Sequence, residues 1–122
     1  MAASKLNLRI EQGATYVGPG RYGKATLKNG TPPVPTDLTG CSARMHIREK
    51  LESTSILLEL TTENGRIALG EASGTITLNL SAAETAALPW TAAVYDLELV
   101  FASGFVRRLL KGSVTVIKEV TR

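Results

Sequence analysis

Two features of the sequence predict an all-β fold: apolar residues recur at every second position, and turn-forming dipeptides fall between those runs. About seven or eight short strands with frequent turns read as an antiparallel sandwich or barrel. The 122 residues support a single domain over 1–122. A chain of this size hides roughly two-thirds of its unfolded surface, enough to fold on its own core.

Taken in order, Met1 to Lys5 reads as a flexible N-terminal arm. Leu6, Leu8 and Ile10 then alternate with polar residues, the side-chain period of a half-buried strand. Gly18 to Pro35 is rich in Gly and Pro, and Pro32, Pro33 and Pro35 lack a ladder donor, so residues 18–35 read as a loop or a sheet edge. Asp37-Leu38-Thr39-Gly40 has the chemistry of a corner: Asp37 can accept from the N–H two residues on, Leu38 can plug the end of the sandwich, and Gly40 tolerates a positive φ. Ala43, Met45 and Ile47 alternate with Arg44, His46 and Arg48, which makes one face apolar and the other basic. Ile56, Leu58 and Leu60 fit the next strand, Ile67 and Leu69 a short one, and Ile76, Leu78 and Leu80 another. Asn29-Gly30, Asn64-Gly65, Gly70 to Gly74 and Ser103-Gly104 supply turns. One helical signal interrupts. Ser81-Ala82-Ala83-Glu84 has capping-box spacing, Ala82 to Leu88 favours helix, and Pro89 stops it. So short a helix needs packing, through Leu88 and Trp90 against an open end of the sandwich. Tyr95, Leu97, Leu99 and Phe101 make a further strand, and Phe105 to Lys111 and Ser113 to Val120 two more.

Little in the sequence points to reaction chemistry. One Cys and one His exclude an internal disulfide and fall short of a zinc ligand set, so no metal or other cofactor is expected. Cys41 opens a strand and reads as a small buried thiol. Gly18-Pro19-Gly20-Arg21-Tyr22-Gly23 fits a dinucleotide pattern by letter, yet no helix follows to hold a pyrophosphate. His46 lies between Arg44 and Arg48 on a polar strand face, and Cys41 would point to the opposite face. Asp96 and Glu98 share a face about 7 Å apart, a spacing better explained by pairing to Arg107, Arg108 or Lys111 on the next strand than by acid–base work. A net charge of +3 permits a basic patch. With one Trp, three Tyr and two Phe, however, few aromatics remain to stack bases, which argues against nucleic acid. No apolar leader or membrane span is seen, so the expectation is a protein made in the cytoplasm.

Several pieces in order carry a resemblance. Gln12-Gly13-Ala14-Thr15 follows the first strand, and Asp37-Leu38-Thr39-Gly40 leads into Ala43-Arg44-Met45-His46-Ile47-Arg48. Asn64-Gly65-Arg66-Ile67, Glu84-Thr85, Val94-Tyr95-Asp96-Leu97-Glu98 and Glu119-Val120-Thr121-Arg122 come after. From about Leu6 to Arg122 this order resembles the small immunoglobulin-like structural proteins of tailed bacteriophages and prophages, and is similar to the N-terminal domain of phage baseplate upper proteins. The resemblance implies an antiparallel immunoglobulin-like β-sandwich of seven or eight strands with one short helix near residues 81–88. It also implies a virion structural protein, not an enzyme, forming a homo-oligomer with other virion proteins in a tail, baseplate, neck or head surface. Residues 18–35 depart from the family, being longer than a simple hairpin. Contacts to partners are expected from that loop and the arm, through Lys5, Arg21, Tyr22, Lys24 and Pro33, or by a strand added to an open sheet edge. Rival readings are a carbohydrate- or receptor-binding module using Tyr16 and Tyr22, a capsid decoration protein, and a hydrolase using Asp96 and Glu98.

Overall fold

A computed structural model describes residues 3–19 and 23–120. In chain order its elements are β1 (Ser4–Lys5), β2 (Leu8–Glu11), β3 (Tyr16–Gly18), β4 (Ala25–Thr26), β5 (Lys28–Asn29) and β6 (Val34–Pro35). Then come β7 (Ser42–Arg48), β8 (Leu58–Thr61), β9 (Ile67–Leu69), β10 (Thr75–Leu80), α1 (Ala82–Ala86), β11 (Ala92–Val100) and β12 (Val106–Ile117). One sheet runs β1-β12-β11-β7-β8, with β2 also on β12; the other places β3, β4 and β9 on β10, and β5 and β6 form a separate ribbon. A β7-β11-β12 trio extended by β8, facing a sheet built on β10, is the strand order of an immunoglobulin-like sandwich.

Interrupted strands account for the number of segments. β1 and β2 keep one parallel register on β12, from Ser4↔Leu110 through Leu8↔Val114 to Ile117↔Glu11, and are broken only at Leu6 and Asn7. There Leu6 N–H still donates to the Lys111 carbonyl, while Asn7 Oδ1 accepts from Ser113 N–H at 3.1 Å in place of a backbone group. β3 and β4 likewise occupy successive stretches of β10. Counting each interrupted pair as one gives eight sandwich strands among the described residues, in keeping with the rhythm of the sequence.

The core is the inner half of each alternation. Leu8 and Ile10, Ala43, Met45 and Ile47, Ile76, Leu78 and Leu80, Tyr95, Leu97 and Leu99, and Val114 and Val116 are all buried. Fully burying an aliphatic side chain contributes about 1.5–3 kcal/mol. Aliphatic residues therefore do here what a cross-sheet disulfide and Trp do in antibody domains. Leu38 closes the end beside the Asp37 corner, where Asp37 Oδ1 accepts from Thr39 N–H at 3.0 Å and Thr39 Oγ1 at 2.6 Å, and Gly40 has φ +81°.

Several expectations need correction. The arm over 1–5 is not free throughout, because Ser4 and Lys5 pair with β12; Met1 and Ala2 lie outside the described residues. Residues 18–35 are not one loop: β4 completes a strand, and Asn29-Gly30 turns β5 back onto β6, whose Pro35 sits where no inner donor is needed. Ile56 is outside β8, since a turn in which Lys50 N–H donates to Ser53 Oγ and Arg48 Nη1 to the Ser53 carbonyl carries the chain outward. Cys41 precedes β7 and is half-buried. Phe105–Lys111 and Ser113–Val120 are a single strand from Val106 to Ile117, because Gly112 continues the ladder opposite Tyr95. The helix ends at Ala86, with Ala87 as its C-cap, and Leu88 follows as a buried residue.

Candidate functional site

The outer face of the larger sheet gathers most of the chain's candidate chemistry. Alternation sends Arg44, His46 and Arg48 outward from β7 and Asp96 and Glu98 outward from β11, and register sets His46 beside Asp96 and Arg44 beside Glu98. On the far side Asp96 neighbours Lys111 and Glu98 neighbours Arg108, with a bulge between Leu97 and Glu98 that tucks Leu109 inward. β1 adds Lys5 directly beside Lys111.

Both carboxylates are engaged. Arg44 Nε donates to Glu98 Oε1 at 2.9 Å, and Arg108 Nε lies 3.3 Å from Asp96 Oδ2. The expectation that β12 supplies the partners holds for Asp96; Glu98 is held instead from β7. His46 Nε2 lies 3.0 Å from Glu59 Oε2, and Arg48 Nη2 lies 3.4 Å from His46 Nδ1. Arg48 can only donate, so its contact uses the Nδ1 lone pair and leaves the ring proton on Nε2, facing Glu59.

Beside these pairs runs an open groove of about 810 Å³. Lys5, Arg48, Arg108 and Lys111 line it against two carboxylates, Asp96 and Glu98, and Asn7, Ser113 and Leu51 complete its rim. Neither the Lys5 nor the Lys111 ammonium has a carboxylate within ion-pair distance among the described residues. Beneath the groove, Tyr95 Oη donates to the Leu6 carbonyl at 2.7 Å, and a Cβ on Gly112 would clash with that same oxygen. Burial raises the Tyr95 hydroxyl well above its ordinary range, with a smaller contribution from Tyr16, whose own hydroxyl burial pushes up to about 12.

Among the described residues, those expected to meet partners do not converge. Lys5 lies on the larger sheet, Lys24 is exposed just before β4 in the smaller one, Pro33 is exposed at the β5–β6 turn, and Arg21 and Tyr22 lie outside the described residues. Tyr16 is not an exposed aromatic: it packs against the core, with its ring over Gly18. Among the described residues the exposed aromatic is Phe105, at 64% accessibility on the β11–β12 turn, with its ring 5.9 Å from that of Phe101. Sequence reasoning also missed the partnership of Arg44 with Glu98, whose one signal is that both fall on outward positions of adjacent strands.

No family model matches the chain, and no curated protein does. Among solved structures it is similar to Drosophila OTK, extracellular domains 3-5, at TM-score 0.36 and 16% identity. That alignment covers 93% of this chain and 32% of the other, so the chain spans about a third of that structure's length.

At the opposite end of the sandwich from the Asp37 corner, side chains tie the first β-turn to α1. Thr85 Oγ1 accepts from Gly13 N–H at 3.0 Å and reaches the Ala14 carbonyl at 2.8 Å, while Gln12 Nε2 donates to the Leu88 carbonyl at 3.1 Å. The capping box is complete, Glu84 N–H donating to Ser81 Oγ and Ser81 N–H to Glu84 Oε1, and Arg66 binds Glu84 Oε2 at 2.7 Å. The backbone bond from Ser81, followed by the Arg66 side chain, holds the Glu84 carboxyl below the usual range.

Proposed function

We propose that this chain is a non-catalytic assembly module of a tailed bacteriophage or prophage particle, working through protein–protein contacts in the tail, baseplate or neck. The observation that carries the reading is the state of Asp96 and Glu98. The two carboxylates best spaced for acid–base work are each held by an arginine, in pairs that join three strands of one exposed sheet face. Such a face suits the recognition of another charged surface, where complementarity sets register and partner choice. Exposed Val34, Phe105 and Val106 add apolar contact surface on the ribbon and the β11–β12 turn. The module is a homo-oligomer within the virion and is assembled in the host cytoplasm.

The test is co-purification. Tailed particles from a culture producing this chain are banded on a density gradient and quantified by mass spectrometry. The expected result is the chain in the particle band at a constant ratio to the major tail protein. Recovery of the chain wholly in the soluble fraction overturns the reading.

A further inference from the structure

The geometry points to the groove on the outer face of the larger sheet as the seat for an acidic, extended segment of a partner protein. The first reason is uncompensated charge. Lys5 and Lys111 are lateral neighbours on the same face, an arrangement that repels unless an anion lies near. Arg48, on the other wall, is bonded to the Ser53 carbonyl and His46 and, among the described residues, to no carboxylate. The groove's own acids give only partial relief: Asp96 lies beside Lys111 but is already bonded to Arg108, Glu98 is taken by Arg44, and four cations along the lining face these two carboxylates.

The second reason is the rest of the lining, which discriminates among anions. Asn7 Oδ1 accepts from Ser113 N–H, so the Asn7 amide N–H groups remain to donate to an incoming carbonyl or carboxylate. Leu51, at the rim, is 85% exposed and offers a place for an apolar side chain between acidic ones. Stacked bases would find Tyr95, which is 5% exposed, and the His46 ring, which Glu59 and Arg48 already hold, and closely spaced phosphates would meet Asp96 and Glu98. An acidic polypeptide can set its carboxylates on the lysines and avoid those two positions.

The class of partner rests on the assembly-module reading; the seat itself does not, and the two fail separately. Anisotropy of a fluorescein-labelled peptide of alternating Glu and Ala with one central Leu is followed as the full-length chain is titrated in at low salt. Saturable binding is expected, weakening as NaCl rises. Lys5→Glu with Lys111→Glu should lower affinity by about tenfold or more, whereas Lys118→Glu, on an exposed residue beyond β12, should not. A Lys/Ala peptide should prefer the doubly reversed variant, so the result does not depend on loss of binding alone. The proposal is overturned by non-saturable binding to the unaltered chain, by an equal loss in the Lys118→Glu variant, or by tighter binding of single-stranded DNA than of the peptide. Peptide binding without particle co-purification would keep the seat and remove the virion.

Discussion

Thr85 shows how much one buried hydroxyl can hold. It is 0% exposed and serves Gly13 N–H and the Ala14 carbonyl together. Thr85→Val keeps the shape and strands both backbone groups, so a loss of about 1–3 kcal/mol is expected, read as a lower urea midpoint with an unchanged slope. Gly112 is constrained by space: in Gly112→Ala the new methyl meets the Leu6 carbonyl that Tyr95 already binds. Relieving that clash means shifting β1, and the same titration should show about 1–3 kcal/mol lost. Legibility at this scale follows separation along the chain. Asp37 and Thr39 are two residues apart, and their turn was readable from side-chain chemistry alone. Thr85 bonds to partners 71 and 72 residues away, which no local pattern encodes.

Between residue and fold, the elements are fixed mainly at their ends. α1 has five residues, too few to be stable in isolation, and depends on its cap. Ser81→Ala removes the acceptor for Glu84 N–H and should cost about 1 kcal/mol in thermal or urea unfolding. β8 lies at the edge of the larger sheet, where unpaired backbone groups invite another chain. The following turn covers them: Asn64 Nδ2 and Arg66 Nη1 donate to the Glu59 carbonyl, and Thr61 N–H donates to Asn64 Oδ1. Asn64→Ala uncovers this edge, so faster aggregation at raised temperature is expected by light scattering; a rate unchanged from the parent would show that the edge needs no cover. The capping box was legible because its residues are three apart. The interruption of β3 and β4 was not, because a broken strand and a loop have the same Gly/Pro composition until both are seen on β10.

For the molecule as a whole, ionisable groups set a window of stability. Glu84 and Asp37 both titrate below their ordinary range, Glu84 chiefly through the Ser81 backbone bond and Asp37 chiefly through the Thr39 hydroxyl. Their contributions are present above the unfolded values and are lost as pH falls through the folded ones. Tyr16 and Tyr95 are raised by burial, so theirs is whole below about pH 10 and is lost as pH rises toward the folded values. Melting temperature should therefore fall on both flanks, with Glu84→Gln flattening the acid flank and Tyr16→Phe the alkaline one. By itself the sequence determined the all-β class, the inward faces of β2, β7, β10 and β11, the capped helix and the Asp37 corner. Each of these depends on side-chain period or on partners a few residues apart. Which strands lie side by side was decided only by the tertiary structure, and with it the pairing of Arg44 with Glu98, the adjacency of Lys5 and Lys111, and the groove that these two lysines help line. Alternation tells a residue which face it occupies; only pairing across the sheet tells it which neighbour it meets there.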